Sequence, residues 1–300
     1  MRDLPAPVRA TAQGVCAHDW LADLPGLVCD LAREWDLTLG EAFGDATEAY
    51  VVRVTQGDGT PGVLKLPVPR RGGAAARNEI TVLRHAASCC RLLRCDEERG
   101  ALLLERLGPA MSQLNLPQPR RLEILCDLAR AIWQTGGSVG AGLPDGETKA
   151  EFLIDKIRRL WTELGEPCTR RAVDDALVAA ESRRRAFDPR RAVLSHGDVH
   201  QWNAMSSGDG FKLVDPDGLW AEPEYDLGVL MREDPDELLA GDPRDRARWL
   251  AARTGTDAQA VWEWGLAERV CCGLVLTAVG VEPIGTRMLA AADEISRRGA

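Results

Sequence analysis

The chain has 300 residues, 45% hydrophobic and 28% charged, with 37 basic against 46 acidic side chains and a net charge of −9. That length accommodates one large domain or two smaller ones without a disulfide or metal staple, and the composition excludes long disorder. The acidic balance argues against a broad nucleic-acid-binding face, and the longest uncharged stretch toward the C-terminus, Val270 to Val281, is 12 residues, short of the ~20 that span a bilayer.

No apolar stretch follows Arg2, so no secretory signal is expected. Nine cysteines without a C-x-x-C pair read as reduced thiols of a cytoplasmic protein, most of them small apolar fillers. In chain order, a helical pattern runs from about Leu21 to Trp35. Tyr50 to Thr55 and Gly62 to Leu66 are strand-like runs around a Gly/Asp/Pro turn and predict a hairpin. Residues 74–87 predict a helix with Ile80, Leu83 and Ala87 on one face. The apolar run 101–104 predicts a buried strand, broken by Gly108-Pro109. The rest reads as mostly helical: 120–134 with Gly136-Gly137 as its stop, then 148–164, 171–186, 244–254 and 258–280. Only 192–194 and 211–214 read as strands there, and Arg183 to Arg185 with Arg190-Arg191 read as a solvated helix end. No internal repeat or low-complexity tract is present.

The chemistry concentrates in Leu194-Ser195-His196-Gly197-Asp198-Val199-His200-Gln201-Trp202-Asn203, which follows a short predicted strand. Phosphoryl transfer needs a carboxylate to orient the acceptor hydroxyl and oxygen ligands for the nucleotide's Mg²⁺. A kinase catalytic loop supplies an Asp and, five residues on, an Asn; Asp198 and Asn203 have that spacing, and Asp215 stands where a second metal-binding acid belongs. Lys65 ends the second hairpin strand and Glu79 follows early in the next helix, the order of a phosphate-binding lysine steadied by a glutamate. No G-x-x-x-x-G-K-[ST] loop occurs, and only Gly44 lies where a glycine-rich loop would let the backbone approach phosphates. Read otherwise, His196, Asp198 and His200 suit a transition metal in a hydrolase, although His18 and His85 are the only other histidines. From Asp215 to Asp242 ten acids stand against one base, Arg232, a pattern that suits either a polycationic acceptor or a solvated acidic face.

His196-Gly197-Asp198, Asn203 and Asp215 together resemble the signature of the aminoglycoside phosphotransferases, small-molecule relatives of protein kinases. Trp35 to Gly40, Pro61 to Leu66, Ala101 to Leu107, Val214 to Gly218 and Glu222 to Leu227 resemble its streptomycin 6-phosphotransferase/hydroxyurea phosphotransferase branch. The resemblance covers about residues 30–290 and implies an α+β, two-lobed protein-kinase-like fold. Residues 1–104 would form a small sheet-containing nucleotide-binding lobe, 105–109 a hinge, and 110–300 a larger, mainly helical lobe. It implies Asp198 as catalytic base, Asn203 and Asp215 as Mg²⁺ ligands, and Lys65 on the ATP phosphates with Glu79 positioning it. The backbone of Glu105 to Leu107 would meet the adenine, and Asp226 would buttress the catalytic loop. The position after Asp215-Pro216 is Asp217, where the streptomycin kinases usually carry lysine, a departure that touches the acceptor rather than the nucleotide chemistry.

The expected function is ATP-dependent phosphorylation of a hydroxyl on a small cationic natural product, an aminocyclitol of the streptomycin kind, with Glu222, Glu224, Glu233 and Asp234 as substrate contacts. The expected protein is cytoplasmic, a monomer or weak dimer, without nucleic-acid or membrane partners. The alternatives are a kinase for another small acceptor and a nucleotide-binding pseudokinase without turnover.

Overall fold

The structure is a computed structural model describing residues 4–44, 46–69, 74–135, 140 and 142–299. Two units emerge, Met1–Gly108 and Pro109–Ala300. The predicted Gly136-Gly137 helix stop lies outside the described residues.

The first unit contains α1 (Ala6–Gly14), α2 (His18–Glu34), β1 (Leu37–Ala42), β2 (Ala49–Gln56), β3 (Pro61–Pro67), α3 (Ala74–His85), β4 (Leu92–Asp96) and β5 (Ala101–Glu105). Its five strands form one antiparallel sheet in the order β1-β2-β3-β5-β4. The β2–β3 hairpin closes through Asp58, whose carboxylate accepts from the Thr60 amide at 2.8 Å, an Asx-type turn. Leu24, Val28 and Leu31 recur at helical spacing along α2 and, with Val8 and Ala12 of α1, bury against Tyr50, Val52, Val54, Leu64 and Leu66. Because side chains alternate along a strand, Lys65 faces away from that core, to where α3 presents Glu79.

The second unit opens with a 3₁₀ turn, Met111–Gln113, and continues through α4 (Gln118–Trp133), α5 (Gly146–Glu163) and α6 (Arg170–Ala186). Then come β6 (Val193–Ser195), β7 (Ala204–Ser207), β8 (Gly210–Leu213) and β9 (Leu219–Ala221). The chain ends with α7 (Glu224–Leu230), α8 (Pro235–Leu239), α9 (Pro243–Thr254), α10 (Ala258–Ala278) and α11 (Ile284–Arg298). Asp145, Thr169, Asp242 and Asp257 cap α5, α6, α9 and α10 with their side-chain oxygens. Helix α10 packs against α5, α6, α7, α9 and α11, which is why it is apolar on most of its circumference. At its crossing with α7 two glycines face the partner helix: a Cβ on Gly228 would stand 2.3 Å from the Trp264 Cβ, and one on Gly265 2.7 Å from the Met231 Cβ. Among the described residues no helix is long and apolar enough to cross a membrane.

The arginines in the last turn of α6 depart in part from the solvated end expected of them. Arg183 turns inward, its side chain 11% exposed, to pair with Glu222 and Glu263, whereas Arg185 stays in solvent on Glu181. All nine cysteines are free, five of them buried.

Candidate active site

In the second unit, local strand pairing builds the site. Strand β6 pairs with β9, Ser195 opposite Leu219, and β7 pairs with β8, Ala204 opposite Leu213. These two pairings fix both ends of segments 196–203 and 214–218, so the segments run side by side. Three bonds then stitch them: the Gly218 amide donates to the His196 carbonyl at 3.0 Å, the Val214 amide to the Asn203 carbonyl at 2.9 Å, and His196 Nε2 to the Val214 carbonyl at 3.1 Å. Asp215, exposed and at φ +61°, follows directly. Gly197 has φ +88°, and a Cβ there would stand 2.8 Å from the Asp217 Cβ, so the turn into Asp198 requires glycine.

His196 is a structural pin. Its Nδ1 accepts from the Asp198 amide at 3.2 Å while Nε2 donates to Val214, which fixes the neutral tautomer. Burial lowers its pKa to about 4. Below it, the fully buried Asp226 accepts from the Gly197 amide at 2.8 Å, the His196 amide at 3.2 Å and Trp133 Nε1 of α4 at 2.8 Å. Burial outweighs these donors and pushes its carboxyl up to about 6.

Asp198 is held by three donors. Arg232 Nη2 donates to Oδ1 at 2.6 Å, and His200 Nε2 and Asn203 Nδ2 donate to Oδ2 at 3.0 and 3.2 Å. Burial opposes ionisation, but the charges and hydrogen bonds of His200 and Arg232 prevail and hold Asp198 well below the usual carboxylate range. For His200 burial is likewise outweighed, here by Asp198, and its pKa is raised. Asp198 keeps 32% of its side chain exposed, and the neighbouring Trp202 has 52% exposure with its ring edge-on to His200. Asn203 Nδ2 also donates to the Asp198 carbonyl at 3.0 Å. With the amide nitrogen so committed, Oδ1 is the end that would meet a cation, and Asp215, next in chain to the Val214 that bonds Asn203, carries a hard oxygen donor of the same kind. Such a pair fits Mg²⁺, which takes one or two protein oxygens and completes its shell with phosphates and water. Among the described residues no group of three or more His, Cys, Asp or Glu is arranged to hold a metal, and both His196 nitrogens face main-chain groups, which disfavours the metallohydrolase alternative.

In the first unit, Lys65 Nζ donates to both Glu79 oxygens at 2.7 Å, with both residues buried. Gly44 lies in a turn after β1 with open space where a Cβ would sit. Glu105 ends β5 with its carboxylate accepting from the Arg91 amide at 2.6 Å, and Leu107 lies in the irregular segment that follows.

The acidic segment after Asp215 is not the open wall its composition suggests. Glu222 is buried, accepting from Trp264 Nε1 at 2.7 Å and Arg183 at 3.3 Å, and burial raises its pKa. Glu224 is buried on Arg191 and the Asp257 amide. Neither is free to form an exposed substrate face, because each serves as an internal counter-ion. Glu233 is buried, with a pKa raised by burial, and Asp234 pairs with Arg121 of α4 at 2.6 Å. Sequence reasoning passed over Trp133, Arg232 and Glu268 as site residues; the one available signal was Arg232 itself, the single base in that acidic stretch.

Residues 34–280 match the family described as aminoglycoside/hydroxyurea antibiotic resistance kinase. The chain is 29% identical over 260 residues to a streptomycin 6-kinase of Streptomyces glaucescens, covering 84% of this chain and 81% of the relative. It is 27% identical over 262 residues to a hydroxyurea phosphotransferase of Kitasatospora aureofaciens, covering 86% and 74%. Among solved structures, the GDP and kanamycin complex of APH(2″)-IIia superposes with a TM-score of 0.63 at 14% identity over 92% of this chain and 99% of that one. A thermostable mutant of aminoglycoside phosphotransferase APH(4)-Ia gives 0.61 at 15% identity over 90% and 98%. The fold is therefore the kinase-like one of these phosphotransferases, with a five-stranded antiparallel sheet in the first unit and a mainly helical second unit.

Proposed function

Because this chain belongs to the aminoglycoside/hydroxyurea antibiotic resistance kinase family, we propose that it transfers the γ-phosphoryl group of ATP to a hydroxyl of a small cationic natural product, an aminocyclitol of the streptomycin type. The observation that carries this reading is the Asp198 carboxylate, kept ionised by Arg232 and His200, partly open to solvent, and hydrogen-bonded to Asn203.

Lys65, braced by Glu79, contacts the nucleotide phosphates; the Gly44 turn lets backbone approach them, and the backbone from Glu105 to Leu107 meets the base. Asn203 and Asp215 hold Mg²⁺, which when bound neutralises charge on the phosphate oxygens. Asp198 orients the acceptor hydroxyl. As the acceptor oxygen bonds to the γ-phosphorus and the β,γ-bridging bond breaks with its electron pair leaving on ADP, the hydroxyl proton passes to Asp198. A carboxylate with so low a pKa is a weak base, so that proton moves late and orientation is the larger contribution. His196 and Asp226 keep the loop in register without touching reactants. Of the four acids named as substrate contacts, Glu233 is as buried as Glu222 and Glu224, and Asp234, partly exposed beside Arg121, is the one we retain for a cationic acceptor.

A second acceptor class has its own support in the relative that is a hydroxyurea phosphotransferase. The test is a coupled ADP-release assay with Mg²⁺ and an acceptor panel including streptomycin and hydroxyurea. The wild type is expected to turn over with streptomycin, and Asp198→Ala to lower kcat by about 10²–10⁴-fold while ATP still binds. Full activity in Asp198→Ala removes Asp198 from its role, and ATP binding without turnover on any acceptor identifies a pseudokinase.

A further inference from the structure

Asp198 is one member of a run of alternating charges, buried at Arg232, Glu268 and Lys149 and open at its two ends, that the reaction chemistry does not by itself require. Arg232 bridges it to α10: Nη2 reaches Asp198 Oδ1 at 2.6 Å and Nη1 reaches Glu268 Oε2 at 3.0 Å, with the Arg232 side chain 13% exposed and that of Glu268 6%. The other Glu268 oxygen accepts from the Tyr225 hydroxyl and lies 4.0 Å from Lys149 Nζ, which in turn pairs with Asp217 at 3.3 Å. Asp217 packs where a Gly197 side chain would sit, so the run returns to the residue before Asp198.

The backbone that carries Arg232 is fixed as well. Buried Arg269 donates to the Met231 carbonyl, and Arg246 donates to the carbonyls of Glu233 and Asp234. The side-chain-free contact of Gly228 and Gly265 at the α7–α10 crossing brings the two helices close. Glu268 lies one turn beyond Gly265, within reach of Arg232, two residues past the end of α7.

An ionised carboxylate has about four lone-pair sites. In Asp198 two on Oδ2 are taken by His200 and Asn203, and one on Oδ1 by Arg232. One site on Oδ1 remains, and its direction is set by the guanidinium bonded to the same atom. We infer that Arg232, anchored by Glu268, is a positioning residue of the transfer reaction, holding Asp198 in the rotamer that aims the remaining Oδ1 lone pair at the acceptor hydroxyl. The inference rests on the phosphotransferase reading. A planar guanidinium suits the role because it spans two carboxylates with separate nitrogens, which an ammonium does only by sharing one.

Steady-state kinetics on Arg232→Gln, Arg232→Lys and Glu268→Gln tests it. Misaiming a reacting group costs rate rather than nucleotide affinity, so Arg232→Gln is expected to lose about 10²-fold in kcat with the KM for ATP unchanged. Arg232→Lys is expected to recover part of that loss, and Glu268→Gln to show a smaller fall of the same kind. The inference is overturned by a wild-type kcat in folded Arg232→Gln, by kcat and the ATP KM deteriorating together, or by a lysine variant no better than glutamine. If Arg232→Gln does not fold, Glu268→Gln decides: lower kcat at constant KM supports the role and an unchanged kcat overturns it. A wild type without turnover on any acceptor fails earlier, and overturns the phosphotransferase reading along with it.

Discussion

His196 and His200 stand four residues apart and titrate in opposite directions. His196 is buried between two main-chain groups and stays neutral down to about pH 4; His200 faces the Asp198 carboxylate and keeps its proton above the usual histidine range. Nitrogen-15 spectra across a pH titration are expected to show a neutral Nε2–H tautomer for His196 at pH values where His200 is already protonated. A His196 that gains its proton near pH 6.5 contradicts this. The unfolded chain takes up the His196 proton near pH 6.5 and the folded chain only near pH 4. This group's contribution to stability is therefore present above pH 6.5 and lost as the pH falls toward 4, by up to about 3 kcal/mol. Asp226, with its pKa raised to about 6, acts in the opposite sense over much of that range, so the wild-type profile is flatter than His196 alone dictates. At this scale the spacing of Asp198, Asn203 and Asp215 was readable because kinase-type transfer demands it locally. The Arg232–Glu268 pair was not, because its members lie 36 residues apart and nothing in the turn after α7 or in α10 marks the other as partner.

Elements were legible where one face is buried and one is wet. The β2–β3 hairpin, α3 and α5 follow from alternation, helical spacing and turn chemistry. Strand β1 escaped notice because, as an edge strand, it buries only Leu37 fully; β4 is likewise an edge strand, half-exposed with a register shift. Helix α7 is buried at every position, acids included, so no polar face marks it. Strands β7 and β9 were missed because neither Ala204–Ser207 nor Leu219–Ala221 holds a β-branched residue. The link from β3 to α3 makes a prediction of its own. Lys65→Met removes a cation from beside a buried carboxylate, which is expected to cost about 3–5 kcal/mol, read as a lower urea midpoint at constant m-value, and to weaken ATP binding. Glu79 is then the buried charge that suffers, so adding Glu79→Gln to Lys65→Met is expected to restore part of the stability and none of the ATP affinity. Equal stability of wild type and Lys65→Met contradicts the role given to this pair.

Over the whole molecule, much of the excess acid in the second unit is spent inside it. Glu222, Glu224, Asp226 and Glu233 are buried, and Arg183, Arg191 and Trp133 answer three of them. A net charge of −9 thus describes internal pairing as much as an external field, and the composition of the 215–242 segment does not by itself choose an acceptor. What does organise the second unit is the meeting of segments 196–203 and 214–218 between two short strand pairs. Crystals soaked with ATP and Mn²⁺ in place of Mg²⁺, measured at the manganese edge, test that arrangement most directly. The account predicts an anomalous peak ligated by both Asn203 and Asp215, with the γ-phosphate facing Asp198; a manganese ion bound elsewhere, or one that ignores Asn203 and Asp215, contradicts it.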